Sequence, residues 1–327
     1  MKERVLITGA SGFLGFHLIE AALENNMEVH AAVRKSSSVK HLEHLPVSFT
    51  QLDYLDIKSL KNKIETGQYD YIIHAAGVTK AKSQEEYNKI NADYSFNLAK
   101  AVEQSENPIK KFVFLSSLAA LGPLNNMNEV LNEFSTPNPV TAYGKSKLIA
   151  EEKIGQLSIP LVILRPTAVY GPRDKDIFIL FKIINNGLEP YIGRKQQQLS
   201  FVYAKDVARA GVNALSGNTI GIFNLSDGNT YTRYDLANYL KRYLNKKTLK
   251  IHLPFAMISA LAITLEQTYG LFDKTPALNK EKLNELSASN WICSIERAKE
   301  ELGFNPRYNL EMGVLESINW YKKFKWF

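Results

Sequence analysis

Cysteine is nearly absent from this chain: 327 residues contain one, Cys293. No disulfide can form within the chain, and such usage fits a reducing compartment, so the expected location is cytoplasmic. A lone cysteine can be a nucleophile, but Trp291-Ile292-Cys293-Ser294 is an apolar stretch that predicts a small buried side chain. Long apolar runs are missing as well. The most apolar one, 253–265, is too short to span a bilayer. Arg4-Val5-Leu6-Ile7 enters a strand at once, which predicts that no signal peptide precedes the fold. The six histidines have no metal-ligand spacing, so no metal is expected. There is no serine-hydrolase elbow, no internal repeat and no low-complexity tract.

What is present is ordinary in bulk. Apolar residues make up 45% and charged residues 22%, as in soluble globular proteins. The length can bury a large core, as one big domain or two unequal lobes. The net charge of +7, from 40 basic and 33 acidic residues, is spread along the chain rather than gathered into a tail. That distribution gives little support to nucleic-acid binding and suits attraction of an anionic cofactor or an anionic membrane surface.

The first half alternates strand-like and helix-like segments. Strands are predicted at 5–8, 29–33, 47–52, 71–74, 112–115 and 161–164. Helices are predicted at 13–25, 57–65, 84–104 and 142–157. This alternation predicts right-handed crossovers and a parallel sheet covered on both faces, a doubly wound Rossmann-type α/β domain. After Pro166 the rhythm changes. Residues 201–215 and the strand 220–225 are expected to return to the sheet domain. The expected division is 1–170 with 200–226 for the dinucleotide-binding domain, and 171–199 with 227–327 for a smaller substrate lobe over the carboxyl ends of the strands.

Gly9, Gly12 and Gly15 follow the first strand and open the first helix, with Ser11, Phe13 and Leu14 between and beside them. That arrangement supplies a tight turn, a close backbone approach to a pyrophosphate and a helix N-terminus facing it. Arg34 and Lys35 come where the second strand ends. An acid there would hold the ribose 2′-hydroxyl of NAD, whereas a base suits the 2′-phosphate of NADP. NADP(H) is therefore expected over NAD(H). Asp53 and Tyr54, after the third strand, would lie beside the adenine.

The spacing Tyr-x-x-x-Lys occurs five times, beginning at Tyr54, Tyr143, Tyr191, Tyr243 and Tyr321. Position selects Tyr143. It starts a helix downstream of the glycine turn and of Ser117, and Lys147 falls on the same helix face. A free tyrosine ionises near pH 10, roughly three units too high for a good neutral-pH base. A lysine ammonium and a positive nicotinamide ring beside it would both favour phenolate. Ser117 would donate a hydrogen bond to the substrate oxygen. His74, in a strand-end turn, reads as structural.

These motifs, in this order, resemble the extended short-chain dehydrogenase/reductase family, also called the NAD(P)-dependent epimerase/dehydratase family, nearly end to end. TGASGFLG is similar to its cofactor turn. Ala75, Ala76, Gly77 and Asn91 match its cofactor-side segments, and Ser117, Tyr143 and Lys147 match its catalytic triad. Arg165 to Pro172 resembles its signature after the sixth strand, where backbone at Pro166, Thr167 and Val169 approaches the nicotinamide. Phe201-Val202-Tyr203 with Asp206-Val207, and 298–306, resemble further shared blocks. Nucleotide-sugar members commonly carry an arginine where this chain has Leu199. Sugar dehydratases usually carry Thr-Asp-Glu where it has Ser117-Leu118-Ala119. In character the chain is nearest the dihydroflavonol-reductase-like and 3-beta-hydroxysteroid-dehydrogenase-like branch.

The expectation is an NADP(H)-dependent oxidoreductase that interconverts a ketone and a secondary alcohol on a bulky, fairly apolar substrate. The alternatives are a nucleotide-sugar 4-epimerase using the same triad with tightly bound NAD, and a catalytically silent NADP-binding sensor or scaffold. The resemblance also implies a homodimer through the helices at 84–104 and 142–157. The run 253–265 reads first as a buried helix of the smaller lobe, and otherwise as an apolar pocket wall or a peripheral membrane contact.

Overall fold

The computed structural model describes residues 2–271 and 280–327. In chain order the elements are β1 (Arg4–Thr8), α1 (Phe13–Glu24), β2 (Glu28–Ala32), β3 (Val47–Thr50), α2 (Ile57–Gly67), β4 (Tyr71–His74), α3 (Gln84–Tyr87), a π turn (Asn88–Asp93), α4 (Tyr94–Glu103), β5 (Lys111–Leu115), α5 (Ala142–Gly155) and β6 (Leu161–Pro166). There follow β7 (Ala168–Tyr170), α6 (Phe178–Asn185), β8 (Leu188–Ile192), β9 (Gln198–Leu199), β10 (Phe201–Tyr203), α7 (Ala204–Asn213), β11 (Gly221–Leu225), β12 (Tyr231–Thr232) and α8 (Asp235–Leu244). The last are β13 (Leu249–Leu253), α9 (Phe255–Leu271), α10 (Lys280–Ser287), α11 (Glu296–Leu302) and α12 (Leu310–Lys323).

Seven strands form one parallel sheet in the order β11-β6-β5-β4-β1-β2-β3. This is the predicted doubly wound Rossmann-type sheet. Its strands are apolar on both faces because helices cover both. Successive side chains alternate across the pleat. Val5 and Ile7 of β1, with Val113 and Leu115 of β5, face the cluster under α1 and α7. Leu6, Phe112 and Phe114 face the cluster under α2, α4 and α5. A third cluster, rich in tyrosine and phenylalanine, joins α6, α8 and α12 through Phe181, Leu240, Val314 and Tyr321. Three two-stranded sheets lie outside the main one: β7 with β10, β9 with β12, and β8 with β13.

The structure departs from the sequence reading at two places. The single helix expected over 84–104 is divided by the π turn, which lets Asn91 and Ser95 both point inward and be fully buried. The run 253–265 becomes a helix from Phe255 onward, but not a buried one. Among its large apolar side chains Phe255, Met257, Leu261 and Ile263 are exposed, and only Ile258 and Ala262 are buried. Periodicity could not reveal this, because the helix is apolar on every side and marks no inward face.

Candidate active site

The strand order reverses at β1, which has β2 on one flank and β4 on the other. In open parallel sheets the crevice beyond the carboxyl ends at such a point is where ligands bind. β1 ends at Thr8 and the chain turns at Gly9, whose φ is +66°. A side chain there would be strained, and its Cβ would stand 2.6 Å from the Ala75 carbonyl oxygen. The turn thus sits directly against the end of β4. Gly12 is exposed, and a Cβ on it would meet only the Gly9 carbonyl, at 3.1 Å. No side chain caps α1, whereas Asp56, Thr141 and Asn309 cap α2, α5 and α12. An uncapped helix N-terminus beside an open glycine face fits the pyrophosphate of a dinucleotide.

Arg34 lies two residues beyond β2 and is exposed; among the described residues no carboxylate pairs with Arg34 or Lys35. Its charge reaches Tyr54. The Tyr54 ring stacks on Tyr94 at 5.7 Å, its carbonyl accepts from Asn97 Nδ2 at 2.8 Å, and burial pushes its phenol up to about 12. Asp53 is exposed and turns back to accept the Leu55 N–H at 3.0 Å.

Behind the crevice runs a chain of buried hydrogen bonds. Ser95 Oγ donates its one proton to the Asn91 carbonyl at 2.7 Å. It therefore accepts from His74 Nε2 at 2.8 Å, which leaves Nδ1 to accept from the Thr8 hydroxyl at 2.7 Å. Thr8 Oγ1 in turn accepts the Ala76 N–H at 3.1 Å. His74 is locked as one neutral tautomer, and burial lowers its pKa to about 3. A free histidine titrates near 6.5, so between about pH 6.5 and 3 the unfolded chain binds one more proton than the folded one. Stability is expected to fall by about 1.4 kcal/mol per pH unit as pH drops through that window. Urea midpoints from pH 7 to 4 should show this slope, and His74→Gln should flatten it by one proton. Identical slopes would refute it.

Asn91, expected on the cofactor side, spends its amide within the protein. Oδ1 accepts the Val78 N–H at 2.8 Å, and Nδ2 donates to the Val78 carbonyl and to Ser146 Oγ, both at 3.0 Å. It fixes the 77–78 turn. A Cβ on Gly77 would lie 3.0 Å from Asn91 Oδ1 and 3.5 Å from Lys147 Nζ, so the three meet at one point.

Tyr143 stands in the first turn of α5. Thr141 Oγ1 accepts the Gly144 N–H at 3.0 Å, and Glu281 of α10 accepts the Ala142 N–H at 2.9 Å. Gly144 permits the close approach that matters most here: a Cβ on it would stand 2.3 Å from the Ala119 carbonyl oxygen. The turn bearing Ser117 is thereby pressed against α5, and the Ser117 hydroxyl comes near enough to the Tyr143 phenol to favour its ionised form. Lys147, buried one turn on, donates to the Leu115 carbonyl at 2.9 Å and lies 4.8 Å from the centre of the Phe114 ring. Burial lowers its pKa to about 8, opposed by the charge of Glu151. Burial also pushes the Tyr143 phenol up, to about 12. Ser117 works against that rise, while Glu285 and Tyr87 add to it. The sequence had led to the opposite shift. Desolvation outweighs the opposing effect of Ser117, while the Lys147 ammonium donates to the Leu115 carbonyl.

Farther along the crevice, Thr167 Oγ1 donates to the Ser200 carbonyl at 2.9 Å, and β7, with Val169, pairs with β10 after the buried Pro166. Leu199 is half-buried on the aromatic cluster of the C-terminal part. Cys293 is buried, which raises its thiol to about 12 and leaves it no nucleophilic role at neutral pH.

The family model described as "NAD dependent epimerase/dehydratase family" matches residues 5–226. The chain belongs to that family. The match takes in the glycine turn, the His74 network, Ser117, Tyr143 and Lys147, and ends before α8. Nicotinamide dinucleotide is the cofactor the family name implies. Over its whole length the chain is 27% identical to "Sterol-4-alpha-carboxylate 3-dehydrogenase, decarboxylating" of Dictyostelium discoideum, with 96% of this chain and 99% of the relative covered. It is 24% identical to "Ceramide reductase" of Caulobacter vibrioides, covering 98% and 95%. Among solved structures, UDP-glucose 4-epimerase of Thermotoga maritima with UDP-glucose superposes with a TM-score of 0.80 at 22% identity, covering 98% of this chain and 99% of that one.

Several residues of this epimerase/dehydratase-family site escaped the sequence reading. Gly144 stood inside the Tyr-Gly-Lys-Ser-Lys run, and its helix-interior glycine was the available signal. Thr8 and Ser95 carried none. Glu281 and Glu285 come from a helix about 140 residues away in sequence from Tyr143, a contact that only the folded chain makes.

Proposed function

We propose that this chain is an NADP(H)-dependent oxidoreductase that interconverts a ketone and a secondary alcohol on a bulky, apolar substrate. The observation that carries the chemistry is the placement of Ser117 beside Tyr143, with Lys147 buried one helix turn on, at the carboxyl edge of the sheet. When bound, the nicotinamide supplies or accepts hydride. Ser117 orients the substrate oxygen, and Tyr143, protonated at neutral pH, gives it a proton during reduction. Gly9, Ser11, Gly12, Phe13, Leu14 and Gly15 would hold the pyrophosphate. Ala75, Ala76, Gly77 and the 166–169 backbone would line the path to the nicotinamide. Residues 1–170 with 200–226 would bind the dinucleotide, and 171–199 with 227–327 the substrate.

The NADP preference rests on Arg34, exposed and, among the described residues, without a carboxylate partner, where an acid would select NAD. Arg34→Ala is expected to weaken NADPH binding roughly 10- to 100-fold, the worth of a charge-assisted phosphate contact, and to leave NADH binding unchanged. Titration of both nucleotides checks it, and an unaltered preference for NADH would overturn it.

The apolar substrate rests on Leu199, which stands on the aromatic cluster where a sugar-diphosphate arginine would be expected. It also fits the sterol and ceramide named for two relatives. NADPH consumption with 3-keto steroids and long-chain keto lipids tests it. A second reading, nucleotide-sugar 4-epimerase, is favoured by the superposition on an enzyme holding UDP-glucose. Conversion of a UDP-sugar without added cofactor would select it. The cytoplasmic location and the homodimer belong to the same proposal, and sedimentation of the purified protein tests the dimer.

A further inference from the structure

We propose that α9 is a membrane-docking helix that lies on the surface of a bilayer containing anionic lipids and holds the mouth of the candidate active site there. The inference deepens the reading of an apolar, lipid-like substrate and rests on that reading for its purpose. The surface itself is argued independently.

From Ile251 to Leu265 the chain has no acidic or basic side chain other than His252. Within this stretch α9 buries Ile258 and Ala262, four residues apart and so on one stripe. Most of its remaining surface is apolar too: Phe255 is 45% exposed, Met257 51%, Leu261 48% and Ile263 43%, while the exposed Thr264 hydroxyl is satisfied by the Ala260 carbonyl within the helix. A helix apolar all round belongs in a core or in lipid, and this one is not in the core.

The rim beside it is basic. Gly193 N–H donates to the Leu253 carbonyl at 2.8 Å, and His252 Nδ1 lies 2.9 Å from the Gly193 carbonyl, so the turn that follows is fastened to the start of α9. That turn carries Arg194 and Lys195, both exposed and, among the described residues, without a carboxylate partner. Lys250 precedes the uncharged run and is exposed as well, although it lies 3.7 Å from the buried Glu189 carboxylate. An apolar face with cations at its edge complements acyl chains beneath anionic headgroups. A second copy of this chain is a poorer occupant, because pairing two such faces would bring like charges toward each other.

The same segment reaches the site. α9 packs against α10. α10 supplies Glu281 to the Ala142 N–H at 2.9 Å and Glu285 to the neighbourhood of Tyr143. The Glu285 carbonyl also accepts from Trp291 Nε1 at 3.2 Å. A lipid leaving the bilayer at α9 would therefore emerge beside α10, the helix that reaches the Tyr143 turn.

The test is co-sedimentation of the full chain with vesicles of phosphatidylcholine alone or mixed with phosphatidylglycerol, at low and high salt. Binding to the anionic vesicles is expected, and it should weaken with salt. Arg194→Gln with Lys195→Gln should cut it about 25-fold, at about fivefold per basic side chain lost. Met257→Asp with Leu261→Asp should cut it at least about tenfold, with thermal unfolding and NADPH affinity unchanged. Wild-type protein that stays in the supernatant with anionic vesicles would overturn the proposal, as would unchanged binding by the Asp variant. Failure to bind vesicles, together with a dimer that the Asp variant dissociates, would assign the face to a second copy instead. NADPH consumption with a water-soluble ketone reads the chemistry separately. Vesicle binding without reduction of any ketone would refute the proposed function and leave the docking surface standing.

Discussion

Tyr143→Phe is expected to lower ketone reduction roughly a thousandfold, the usual worth of a positioned general acid, while NADPH affinity stays within about twofold. In the proposed reaction the phenol exchanges the proton, and the variant keeps the ring that packs beside Tyr87. With its pKa pushed up to about 12, Tyr143 is the acid form at neutral pH. Reduction should then be flat in pH as far as Tyr143 is concerned. Oxidation of the alcohol needs the phenolate, so its rate should rise nearly tenfold per pH unit from about pH 7 to 9. Lys147, near 8, should add an inflection in that range. Steady-state rates in both directions, with cofactor binding measured alongside, check the pattern. Activity retained in Tyr143→Phe would remove Tyr143 from the chemistry and favour a binding or sensing role.

Arg165→Met should cost about 3–5 kcal/mol of folding stability, because it leaves the Glu151 carboxylate buried and unpaired. Arg165 Nε lies 3.0 and 3.1 Å from the two Glu151 oxygens, and a second guanidinium nitrogen also bonds the carboxylate. Both side chains are 4% exposed. Ser116 donates to the same carboxylate, so β5, α5 and β6 are tied at one point just behind Ser117 and Lys147. Replacing both partners, Arg165→Met with Glu151→Leu, should recover most of the loss, since an apolar pair of similar volume needs no desolvation. The expected drop in thermal midpoint for the single variant is on the order of 10 °C. A single variant as stable as wild type would show that the pair is not desolvated.

Much of this protein was legible in local order. The alternation of apolar segments placed all six predicted strands of the first half, because strands buried on both faces must be short and apolar. The glycine turn and the strand that precedes it set where a phosphate could approach, since only backbone without side chains allows that contact. The series Gly9, Ser117, Tyr143, Lys147 named the residues that gather at the crevice, although four other Tyr-x-x-x-Lys spacings occur.

Other features depended on contacts between distant parts of the chain. Periodicity reads one helix over 84–104, yet Asn91 grips Val78 and Ser146 through a π turn. The direction of the Tyr143 shift depends on how completely neighbours exclude water, which Glu285 and Tyr87 help to decide from far away in sequence. The fate of α9 was hidden for the same reason. By itself the sequence determined which segments are apolar, which residues can exchange a proton and where a dinucleotide can lie, because these follow from side-chain chemistry and short spacings. Only the tertiary structure decided which apolar helix stays uncovered, which tautomer His74 holds and how strongly Tyr143 keeps its proton, because burial belongs to the surroundings of a residue and not to the residue.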